Sequence, residues 1–109
     1  MAQRVGGGAG DARVVHETTV GLEVSWLVAL ARASHIGDER QLRLDADIRV
    51  TQAQLIRTLL HACAAGIPLK DLRARFIDPV ERESRVNPAV IALLTDTVRH
   101  VERQLAGRA

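Results

Sequence analysis

From Arg49 to Gly66 the apolar positions Leu55, Ile56, Leu59, Leu60 and Cys63 recur at the spacing of one helix face, with Gln54, Arg57, Thr58 and His61 opposite. Thr51 is placed to act as an N-cap whose hydroxyl accepts from a first-turn amide, and Gln54 three residues on completes a capping box. Gly66 suits the left-handed residue past a helix end, and Pro68 prevents continuation. The pattern predicts a helix from about Thr51 to Ala65, and it needs the rest of the chain to cover its stripe.

Two other stretches carry a different rhythm. Arg13 to Leu22 is rich in β-branched residues, which predicts a strand with Val14, His16, Thr18, Val20 and Leu22 on the core face. The opposite face carries Arg13, Val15, Glu17, Thr19 and Gly21. In Gln41 to Val50, apolar Leu42, Leu44, Ala46, Ile48 and Val50 alternate strictly with polar residues, the period of a strand or extended arm. Between them, Trp26, Leu27, Leu30 and Ala31 make an amphipathic stripe over Glu23 to Ser34, and Gly37-Asp38 marks a loop over His35 to Arg40.

Beyond the central helix, Leu69, Leu72 and Phe76 predict a short helix from Pro68 to Ile77, ended by Pro79. Asp78 to Val86 is charged and expected as a loop. Asn87-Pro88 is a strong helix start, Asn as cap and Pro at the first helical position. The last helix then runs to about Ala106 with a stripe of Val90, Ile91, Leu94, Val98, Val101 and Leu105, and Gly107 closes it. At the other end, the glycines of Met1 to Ala12 predict a flexible arm, with no Gly-Lys-Ser/Thr to make a phosphate loop.

Composition narrows this picture. The 109 residues suffice for one small domain, and with aromatics at 2% its core must be aliphatic. So short a chain buries a modest fraction of its surface, and an intimate dimer would supply the missing core. A net charge of +2 is too small an excess to argue nucleic-acid binding alone. Among the 15 basic residues only Lys70 is lysine, and arginine suits bidentate contacts to carboxylates, phosphates and guanine. Cys63 is the single cysteine, so no internal disulfide framework exists. No run approaches the ~18 apolar residues of a membrane span, and no signal-peptide pattern opens the chain. A soluble cytoplasmic protein, away from membranes, is the expectation.

Catalytic chemistry finds little support. His16, His35, His61 and His100 are scattered, without metal-ligand spacing, and neither a metal nor a cofactor is expected. Asp45 and Asp47 would share a strand face, and a solvated polar face explains them. Cys63 and His61 point apart on a helix, which makes a poor nucleophile–base pair. No enzyme class is indicated.

A strand leading directly into an amphipathic helix, followed by a capped second helix, is the plan of one DNA-binding family. Thr18-Thr19-Val20-Gly21-Leu22-Glu23-Val24-Ser25-Trp26-Leu27 resembles the strand-to-helix passage of ribbon-helix-helix proteins. Val50-Thr51-Gln52-Ala53-Gln54-Leu55-Ile56-Arg57-Thr58-Leu59-Leu60 resembles their second helix, usually Ser/Thr-x-x-Glu-Leu-Ile-Arg. The resemblance covers residues 13–66. It implies a mainly α fold with one short β-strand per chain, paired in a homodimer, with residues 67–109 as a helical extension. It also implies that an antiparallel β-ribbon enters the major groove of double-stranded DNA.

Carried over, the base-facing positions are Arg13, Val15, Glu17, Thr19 and Gly21, and the phosphate clamp is Thr51, Gln52 and Ala53. The chain departs from the family in its long join from His35 to Val50, in an acidic Glu17 on the DNA face, and in Gly21, which offers no side chain. A second register makes Gln41 to Val50 the ribbon. The functions implied are repressor, antitoxin-type autoregulator or plasmid centromere-binding protein, associated with the nucleoid. The competing readings are a helical adaptor that binds another protein, with the C-terminal helix as its docking element, and a helix-turn-helix regulator with a β-arm.

Overall fold

A computed structural model describes residues 7–33, 39–85 and 87–108, and places side chains at 12–33, 45–85 and 87–108. The chain runs through α1 (Gly7–Ala33), α2 (Glu39–Ala64), α3 (Leu69–Leu72), a π-helical turn (Arg73–Ile77), α4 (Asp78–Glu83) and α5 (Pro88–Arg108). α1 and α2 make the most extensive contact, and so short a join between long helices requires them to be antiparallel neighbours. α5 packs against both, and the run from Leu69 to Glu83 lies across α1, α2 and α5.

No strand occurs among the described residues, which overturns the ribbon-helix-helix fold with its short β-strand. Both candidate ribbons, 13–22 and 41–50, are helical. The reason lies in longer periodicity. Val20, Val24, Leu27, Val28 and Ala31 form one helical stripe that begins inside the supposed strand, and all are buried. Thr19 fits a helix because its Oγ1 donates to the Val15 carbonyl at 2.9 Å, four residues back. Arg13 and Glu17 form an i,i+4 ion pair at 3.2 Å. In the same way Ile48, Thr51, Leu55, Leu59 and Ala62 continue one face through α2. Thr51 is therefore not an N-cap: it sits buried in mid-helix. α1 begins at Gly7, inside the stretch expected as an arm, and the expected loop 35–40 lies outside the described residues but for Glu39 and Arg40, which open α2.

The ends of α2 and α5 follow the expected chemistry. Gly66 adopts φ 100°, the Ile67 amide donates to the Ala62 carbonyl at 3.1 Å and the Gly66 amide to the Cys63 carbonyl at 3.0 Å. This pair of bonds is a Schellman motif, and the buried Ile67 supplies its apolar contact. Asn87 precedes α5 and its carbonyl accepts from the Ile91 amide at 3.3 Å, with Pro88 opening the helix.

Pro79 does not end the third helical run as expected; the chain passes through it. Proline lacks an amide hydrogen, and its ring collides with the carbonyl four residues back. The backbone widens instead: the Asp78 amide donates to the Arg73 carbonyl, five residues back. That widening lets Leu72 and Ile77, five residues apart, both turn inward and become buried. The stretch 78–83, expected as a loop, is α4.

The core joins Val20, Val24, Leu27 and Val28 of α1 to Leu55, Leu59 and Ala62 of α2, Leu72 and Ile77, and Val90, Leu94, Val98 and Val101 of α5. It is aliphatic, as the composition requires. α5's stripe is thus occupied by the chain's own core. The radius of gyration, 15.6 Å, exceeds the ~13 Å usual for a compact chain of this length. An elongated body leaves more helix surface uncovered.

Candidate functional site

α1 is apolar on two sides. Its inward stripe is buried, but the opposite arc carries Val14, Val15, Thr18, Leu22, Ser25, Trp26 and Ala29, all exposed. Leu22 is 67% exposed, Val15 63%, Trp26 60% and Val14 58%. None of these residues is charged. The charged side chains described on α1 are engaged elsewhere: Glu17 pairs with Arg75 of the π-helical segment, Arg13 with Glu17 and with Asp71 of α3, Glu23 is half-buried, and Arg32 donates to Ser84 Oγ at 3.1 Å. A surface helix normally shows the reverse distribution, with charges outward. Exposed apolar groups in a contiguous patch mark an interaction surface more often than single ones do.

One edge of this face borders a groove of about 430 Å³, lined by Val14, Glu17, Thr18, Leu22, Arg75 and Phe76 among others. Arg75 holds its guanidinium 5.2 Å from the Phe76 ring centroid and pairs with Glu17 at 3.1 Å. The groove has an apolar floor and a neutralised charged rim. Trp26, expected in the core with Leu27, Leu30 and Ala31, is the member of that stripe that stays outside.

The residues expected to contact DNA do not share one surface. The strand face that was to unite Arg13, Val15, Glu17, Thr19 and Gly21 is absent, because residues 13–21 are helical. Arg13 and Glu17 pair with each other, Arg13 reaches Asp71 at 3.9 Å, and Gly21 abuts Phe76. Val15 lies on the outward arc, and Thr19 is half-buried at its border. Thr51, Gln52 and Ala53 are not at a helix N-terminus, so their amides belong to the interior of α2. Gln52 instead donates to Asp96 Oδ2 at 3.0 Å and Thr97 Oγ1 at 3.1 Å. Ala53 is exposed.

The remaining reactive groups are dispersed. Among the described residues, no three or more His, Cys, Asp and Glu side chains gather where they could hold a metal ion. Asp45 and Asp47 stand two apart on a helix and point to different sides, not to a shared strand face. Burial pushes the Cys63 thiol above its ordinary pKa, the opposite of nucleophile activation. Glu23 Oε1 is buried with no hydrogen-bond partner among the described groups.

Sequence reasoning missed Leu22, Ser25, Trp26 and Ala29 as a surface. The signal was present: Val15, Leu22, Trp26 and Ala29 follow helical spacing, so a second stripe runs beside the first. It was hidden because Val14, Val15, Thr18 and Thr19 favour a strand by local propensity. α1 is also, over Ala12–Ala33, long and apolar enough by length and composition to cross a membrane, although no run of 18 apolar residues stands in it. Its buried stripe belongs to the core. No family model, no curated protein and no solved structure matches this chain, so its function rests on the residues just described.

Proposed function

We propose that this protein is a non-catalytic helical interaction module, and that it docks protein partners on the outward face of α1. One observation carries the reading: among the described residues the outward arc of α1 between Val14 and Ala29 holds no charged side chain, while Val14, Val15, Leu22 and Trp26 are exposed there. The expected docking element was the C-terminal helix. α5 contributes its stripe to the core, so the proposal moves the surface to α1.

Sequence-specific DNA binding is the competing proposal. It has lost the β-ribbon that was to enter the groove, and several arginines are matched by acids: Arg73 with Asp78 and Glu102, Arg75 with Glu17. A membrane is a weaker occupant of the α1 face, since interfacial helices carry a strongly cationic polar side. Here the sequence of α1 sets Arg13 and Arg32 against Asp11, Glu17 and Glu23, a net negative charge.

The test compares wild type, Leu22→Arg on the α1 face and Ala53→Glu on the outer side of α2. Each is assayed for retention of proteins from its native host and for binding to mixed-sequence duplex DNA at two salt concentrations. The docking reading expects partners that wild type and Ala53→Glu retain and Leu22→Arg loses, and no duplex binding. Duplex binding that falls steeply with salt, unaffected by Leu22→Arg, would favour the DNA proposal and overturn this one.

A further inference from the structure

We draw no further inference here: the strongest candidate, the exposed apolar face of α1 with the groove it borders beside Arg75 and Phe76, belongs to the docking surface already proposed, and nothing in the structure shows what covers it.

Discussion

Gln52 and Thr97 tie α2 to α5: the Gln52 amide donates to Thr97 Oγ1 at 3.1 Å, and Thr97, fully buried, donates onward to the Leu93 carbonyl at 2.8 Å. Removing one member of a buried hydrogen-bonded pair leaves the other with an unmet lone pair and costs about 1–2 kcal/mol. Gln52→Ala should therefore lower stability by that amount, seen as a melting temperature about 4–8 °C lower for a domain of this size. A phosphate-binding Gln52 on an exposed helix start would leave the melting temperature unchanged, so thermal denaturation separates the two roles.

Gly21 and Phe76 meet closely enough to constrain α1. A β-carbon on Gly21 would stand 3.2 Å from the Phe76 ring edge. Phe76 is half-buried, and its ring can yield by a few tenths of an ångström. Alanine in a helix interior gains about 1 kcal/mol over glycine. Gly21→Ala should then change stability by less than about 1 kcal/mol, whereas Gly21→Val should lose about 1–3 kcal/mol by overpacking. Urea denaturation of the two variants reads this ordering, and equal losses would place Phe76 elsewhere.

Gly66 closes α2 at φ 100°, with open space around its α-carbon. The obstacle to a side chain there is backbone strain alone, since no neighbour stands in the way. Gly66→Ala should cost about 1–2 kcal/mol, and Gly66→Asn should recover part of it because asparagine tolerates the left-handed region. Denaturant midpoints for the pair check the ranking.

Cys63 is half-buried, and burial raises its thiol pKa. The folded value lies above the unfolded one. The thiol's contribution to stability is therefore fully present below the unfolded pKa of about 8.5 and is lost as pH rises through the folded value. Labelling by a disulfide reagent at pH 8 should be slower in the folded chain than in urea, and stability should decline above about pH 9. A folded thiol that reacts as fast as the unfolded one would contradict its placement.

Much of the helical framework was legible where chain punctuation and periodicity agreed. Gly66 with Pro68, and Asn87 with Pro88, mark helix ends that the structure keeps. The failures arose where a short window outweighed a long one. Leu42 to Val50 alternates with period two, yet Ile48, Thr51, Leu55 and Leu59 extend a helical face that makes the same residues part of α2. Val14 to Val20 favours a strand residue by residue, but packing of Val20, Val24 and Leu27 against α2 and α5 outweighs a propensity difference of about 1 kcal/mol. Thr51 looked like a cap because Thr-x-x-Gln also occurs inside helices, where a buried threonine can sit. Of the candidate surface, Val15 alone was assigned an outward role; Leu22 was assigned inward by strand parity, and Trp26 by its helical spacing with Leu27, Leu30 and Ala31.

The two-sided apolarity of α1 has a consequence during synthesis. α1 precedes both helices that cover its inward stripe, and α5 begins roughly 55 residues after Ala33, a delay of about 3–10 s at the ~5–20 residues per second of translation. Throughout that interval the nascent helix offers apolar surface on both sides. Unlike an ordinary amphipathic helix, α1 keeps one adhesive side even after the core has closed. Newly made chains would therefore leave the ribosome's vicinity with their outward stripe still in need of a cover, and crowded translation on one messenger would bring identical stripes together.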